Sequence, residues 1–281
     1  MSSTSYPIIF NQSNVINNNT YTYNFGSNVD MNDMEIALGD LSMYYSWQSI
    51  NSYYNNNKFS IIFPNGAGTT TYNLVIPDGT YSADDLNNYL KWWFISQNLY
   101  ITNNTTGDIT VYAQFQENAP QYALNLVVYP LPTSTPAGYT NAGITWPTSV
   151  KTPQFIINNS GFGDIIGFAL ATYPAVAGST ITTSVSTKTP QVSPVQSVIV
   201  MLDAAYNPYS QDSAVIHTFS SKGVQYGSLI QSSPPELSWV PMQQGSRQSI
   251  TLRFVDQSFK PLQIIDTNLT IKLMLRKRQM Y

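Results

Sequence analysis

Apolar and polar positions alternate with period two along most of the chain. Residues 249–255 place Ile250, Leu252 and Phe254 on one face and Thr251, Arg253 and Val255 on the other. Residues 269–275 repeat the pattern, with Leu269, Ile271, Leu273 and Leu275 opposite Thr270, Lys272 and Met274. Alternation of this kind predicts strands with one buried face. The residues between them, 256–261, join the pair either as a hairpin or across two sheets. Residues 35–50 alternate strictly from Leu41 onward, and Gly39-Asp40 interrupts the run, which predicts a bulge or bend. Further strands are expected at 58–63, 71–76, 109–115, 122–129, 195–202 and 214–219, the stretch 122–129 being apolar enough for burial on both faces. One stretch alone has a clear helical period. Ser82 is its N-cap, Asp85 completes a capping box three residues on, and Leu86, Leu90, Trp93 and Phe94, with Tyr89 beside them, form one apolar stripe. About eight to ten short strands, one helix and no strand–helix alternation make an all-β sandwich or barrel.

The remaining segments are loops and an arm. Residues 1–30 mix polar and aromatic positions, with Tyr21, Tyr23 and Phe25 nearest to a period. They read as an extended arm that adds a strand to a neighbour or lies across it, or else as a frayed terminus. Residues 130–153 are rich in Pro, Thr, Gly and Ser, with Ile144 and Trp146 as apolar anchors, and residues 173–194 are similar, with one exposed strand within 179–189. The expected layout is therefore an arm over 1–30 and one domain over 31–281, carrying a loop-rich or small β insertion at about 130–194. The glycine-rich stretch 160–168 lacks the Gly-x-Gly-x-x-Gly spacing and a Lys placed to reach a phosphate, so a tight turn between strands is expected there.

Composition narrows the chemistry. The chain is 42% hydrophobic and 13% aromatic, enough for a real core, but only 10% charged, against roughly 25% in an ordinary soluble domain. Asn, Ser, Thr, Gln and Tyr must then supply the polar surface, which suits contacts with neighbouring subunits or a neutral secreted domain. With no Cys there is no disulfide framework, thiol nucleophile or thiolate metal site. A basic leader followed by an apolar core is not seen, so synthesis in the cytosol is expected. Nor does any apolar run approach the roughly 20 residues of a membrane span. A net charge of −3 argues against strong attraction to nucleic acid. Basic residues are nonetheless uneven: none precedes Lys58, while Lys272, Arg276, Lys277 and Arg278 form a C-terminal basic tip, which either meets phosphate or an acidic neighbour or solubilises the end of a strand. The single histidine, His217, has no second His or Cys to share a metal. Asp84-Asp85 is explained by helix capping more simply than by acid–base work. No catalytic, metal or cofactor residue is expected, and the chain does not read as an enzyme.

The stretch Tyr72-Asn73-Leu74-Val75-Ile76-Pro77-Asp78-Gly79-Thr80-Tyr81-Ser82, continuing through Asp85-Leu86 to Tyr89-Leu90, resembles the single jelly-roll penton, or minor capsid, proteins of virophages and of Polinton-like and related large DNA viruses. Weaker likeness runs through residues 161–168, 195–203 and 249–276. The resemblance implies a single jelly-roll β-sandwich and a virion location. It also implies a homopentamer at the capsid vertex that meets the major capsid protein, made in the host cytoplasm. Candidate contacts with neighbouring subunits or nucleic acid are Tyr21, Tyr23 and Phe25 in the arm, Trp146 in the long loop, and Arg276, Lys277 and Arg278 at the tip. The arm or the tip would reach internal capsid or genome-associated components. The alternative is a jelly-roll receptor- or glycan-binding head, with aromatics of residues 130–153 stacking on sugars.

Overall fold

The computed structural model describes residues 4–278. In chain order the strands begin with β1 (Ser5–Phe10), β2 (Val15–Asn17), β3 (Thr20–Asp30) and β4 (Met34–Tyr44). There follow β5 (Lys58–Asn65), β6 (Gly68–Val75), helix α1 (Ala83–Ser96), β7 (Ile101–Asn103), β8 (Ile109–Thr110), β9 (Ala113–Asn118), β10 (Ala123–Val128), β11 (Tyr139–Asn141) and β12 (Gln154–Ile157). Helix α2 (Ser160–Ile166), β13 (Ala171–Tyr173) and β14 (Thr182–Val185) come next. The chain closes with β15 (Val198–Leu202), β16 (Val215–Phe219), β17 (Leu229–Ser232), β18 (Val240–Pro241), β19 (Ser246–Asp256) and β20 (Leu269–Lys277). These elements form two compact units: one from the residues up to Trp47 together with those from Val195, and one from Gln48 to Pro194.

The first unit is a jelly roll, and strand pairing alone establishes it. One sheet runs β1-β20-β4-β17, with β18 also on β4, and the other runs β16-β15-β19-β3-β2. Among its eight principal strands in chain order (β1, β3, β4, β15, β16, β17, β19, β20), the first sheet holds the first, eighth, third and sixth, and the second holds the fifth, fourth, seventh and second. That order is the double Greek key. The strands alternate as the sequence predicts: Ile250, Leu252 and Phe254 of β19 and Leu269, Ile271, Leu273 and Leu275 of β20 are buried between the sheets. Phe10, Tyr21, Met31, Ile36 and Trp47 complete a single core cluster, with Tyr21 edge-on to Phe254 at 5.8 Å. Side chains thus fill the sandwich interior.

Two expectations are settled in detail. β19 and β20 lie in opposite sheets, so the loop between them crosses the sandwich. The bulge falls at Gly39: Lys272 pairs with Asp40 and Leu273 with Leu38, leaving Gly39 unpaired. A Cβ there would lie 3.2 Å from both the Lys272 carbonyl oxygen and Met274 Cγ, so glycine lets β20 approach.

Three expectations are redrawn. Residues 5–30 are not an arm, because β1 pairs with β20 and β3 with β19, which places them inside the sandwich. The excursion spans Gln48 to Pro194 rather than about 130–194, since residues 130–194 share one core with β5, β6 and α1. Residues 160–166 form a second short helix instead of a turn. Asn159 Oδ1 accepts the Phe162 N–H at 3.0 Å to start it, and Gly167, at φ 78°, ends it. Phe162, Ile165 and Ile166 supply the buried face that the glycine density conceals in the sequence.

The inserted unit contains three small sheets, β13-β12-β5-β6, β14-β10-β9 and β11-β7-β8. Helix α1 begins as the sequence predicts: Ser82 Oγ accepts the Asp85 N–H at 3.2 Å and Asp85 Oδ2 accepts the Ser82 N–H at 2.9 Å. The Ser82 hydroxyl, which donates to Asp85 Oδ2 at 2.6 Å, and then the Ser82 N–H hold the Asp85 carboxyl below its ordinary pKa. The helix buries Leu86, Leu90, Trp93 and Phe94, and Phe59 of β5 stacks on Phe155 at 5.8 Å and on Phe162 at 4.9 Å. The exposed strand expected within 179–189 is β14, paired to β10.

Candidate interaction surfaces of the jelly roll

The seven residues singled out in the sequence meet different fates. Tyr21 is fully buried, so it belongs to the core and is no contact residue; burial, reinforced by Asp266, pushes its phenol well above the ordinary pKa. Tyr23 and Phe25 are half-buried neighbours, with ring centroids 5.4 Å apart, and Tyr23 also packs on Phe10 at 5.8 Å. Trp146 lies in the inserted unit, half-buried, with Nε1 donating to Thr135 Oγ1 at 3.0 Å and its ring 6.4 Å from Tyr112. None of these four stands free on an arm.

The basic tip is smaller than its sequence. Arg276 Nε donates to Glu35 Oε1 at 2.5 Å, and the guanidinium carbon sits 3.8 Å above the centroid of the Trp239 ring. Glu35 is only 8% exposed. Arg276 is therefore clamped between a carboxylate and an aromatic face, and a phosphate would have to displace both. Lys277 and Arg278 remain exposed.

The surfaces the sequence did not single out are the two flanks of the sandwich. β1 and β2 are edge strands of opposite sheets, and β1 touches β3, so they share one flank. That flank exposes Tyr6, Ile9 and Ile16, the last at 65%. On the other flank lie the edges β16 and β17, with Leu229, Tyr44 and Tyr226 exposed. Edge strands carry unpaired backbone groups, and apolar side chains beside them are a liability in a lone subunit. The apolar run Pro7-Ile8-Ile9-Phe10 was a usable signal: Ile8 and Phe10 face the core, which leaves Ile9 outward.

His217 joins β16 to β17 across the sheets, its Nε2 lying 3.1 Å from Ser232 Oγ. Burial lowers its pKa from the ordinary value, so the folded state favours the neutral ring. The unfolded chain takes up the proton first. Stability from this group is thus present above about pH 6.5, the unfolded value, and is lost as pH falls through and below it. In urea titrations the midpoint is expected to drop between about pH 7 and pH 5, and His217→Gln is expected to flatten part of that drop. An unchanged slope would contradict the assignment. Asp84 and Asp85 serve the first turn of α1. Among the described residues no group of three or more His, Cys, Asp or Glu is placed to hold a metal ion, and no helix is long and apolar enough to cross a membrane.

No protein-family model and no curated protein matches the chain. Among solved structures it is similar to the selenomethionine-labelled mavirus penton protein, at 9% identity and a TM-score of 0.46, over 98% of this chain and 99% of that one. A likeness at that level carries no functional argument. The double Greek key and the apolar flanks rest on this chain's own strand order and burial.

Proposed function

We propose that the chain is a structural subunit of an icosahedral viral shell, and that copies join side by side into a closed ring at the vertex. The observation that carries this reading is the pair of opposite flanks, each an open sheet edge with exposed apolar side chains. A head-to-tail contact between two different surfaces of one subunit builds a ring when its rotation closes, and the sandwich offers two such surfaces. The penton-like sequence between Tyr72 and Leu90 favours five copies and a virion location. The low charge supports packing against a neighbouring major capsid protein.

Light scattering on the purified chain tests the proposal. A ring of subunits, each 31.3 kDa, is expected, or assembly once the major capsid protein is added. Ile9→Glu with Ile16→Glu is expected to reduce the ring to single subunits without unfolding them, because both side chains are already exposed. Leu229→Glu on the other flank should do the same. A wild-type chain that stays a single subunit at micromolar concentration and never enters particles would sink the idea.

A further inference from the structure

One open cleft on the jelly roll is explained neither by the flanks nor by the core. It occupies about 850 Å³ where the segment 206–209 faces the segment 238–244, with Arg278 at its side. Small-ligand sites run from roughly 300 to 1,000 Å³. Three aromatics line it: Trp239, half-buried; Tyr206, exposed; and Tyr209, 98% exposed. Among the described residues the Arg278 guanidinium has no ion-pair partner, and the lining contains no carboxylate. Glu35, the acid on the adjoining strand, is already taken by Arg276.

From this cleft we infer a binding site for an acidic saccharide, whose carboxylate pairs with Arg278 while a pyranose face lies on the exposed aromatic rings. The polar groups left free along the wall favour a sugar over the other anionic ligands. Three backbone donors of the wall are spent: Tyr206 N–H bonds the Pro241 carbonyl at 2.8 Å, Gln243 N–H bonds the Ala204 carbonyl at 2.8 Å, and Met242 N–H bonds the Met34 carbonyl at 2.9 Å. Pro208 and Pro241 have no N–H to give. Along 241–243 an extended peptide therefore finds no ladder to join. Nucleic acid needs several cations along a backbone, and this lining has one. Hydroxyls of Tyr206, Tyr209 and Ser238 remain, together with the amide NH2 of Gln244, whose Oε1 already accepts the Asp33 N–H at 3.3 Å; the set suits sugar hydroxyls, and aromatic rings with polar tips suit a ligand that is apolar on one face. The site stands on the cleft alone and does not depend on the shell role.

Isothermal titration of the full chain with sialyllactose, a hyaluronan tetrasaccharide and neutral lactose tests it. At least one acidic saccharide is expected to bind and lactose to bind at least about tenfold more weakly, because a charge-assisted contact is lost. Which acid binds distinguishes a sialic from a uronic ligand. Arg278→Gln should weaken the acidic ligand about tenfold and leave thermal unfolding unchanged. Tyr209→Ala, at a side chain too exposed to affect folding, should weaken it as well. Equal binding of lactose, unaltered affinity in both variants, no binding of either acid, or tighter binding of an oligothymidylate or an Asp-rich peptide would each overturn the assignment.

Discussion

Arg276→Ala is expected to cost the jelly roll about 2–4 kcal/mol. The cause is the carboxylate left behind. Glu35 on β4 is 8% exposed, and Arg276 on β20 supplies both its charge-assisted bond and, through the Trp239 stack, the cover that excludes water. Removing the guanidinium strands a desolvated anion, which costs more than the pair contributes when intact. Arg276→Lys should be intermediate, because an ammonium keeps the charge but not the planar stack. Glu35→Leu combined with Arg276→Met should recover most of the loss, since no unpaired charge then remains. Urea denaturation read at the midpoint with a constant slope measures all three. A wild-type midpoint in Arg276→Ala would show that the clamp has no structural weight.

Phe155→Ala is expected to cost the inserted unit about 3–5 kcal/mol, the range for a large aromatic deleted from a packed core. Phe155 is fully buried on β12, stacked on Phe59 of β5 and edge-on to Phe115 of β9 at 6.1 Å. It thus joins two of that unit's three sheets. The jelly roll has a separate core cluster, so hydrogen exchange should show lost protection at β5, β9 and β12 amides and retained protection at β19 and β20. Equal loss in both sets would contradict two separate cores.

Much of the secondary structure is legible in the sequence because its causes are local. Alternation in β19 and β20 and the capping box of α1 each depend on neighbours a few residues away, whereas Gly39 is legible only as a break whose reason, the approach of β20, is remote. Helix α2 was missed for a local reason too: three glycines within residues 161–167 outweighed Asn159 as a cap. The candidate contacts were harder to read. Tyr21 and Arg276 looked exposed because aromatic and basic residues near chain ends usually are, yet each is held by a distant partner.

By itself, then, the sequence determines the strongly alternating strands such as β4, β19 and β20, which face of each is apolar, where α1 starts, and that cysteine and histidine-cluster chemistry is absent. Those properties follow from side-chain period and composition. The tertiary structure alone decides that the fold is a double Greek key, that the chain leaves it at Trp47 and returns at Val195, and that the two flanks and the cleft beside Arg278 stay open. These depend on contacts between remote residues, such as Ser5 with Arg276 and Glu35 with Arg276, 241 positions apart. Period-two alternation specifies a face but not a partner strand, so pairing is settled only when the whole core closes.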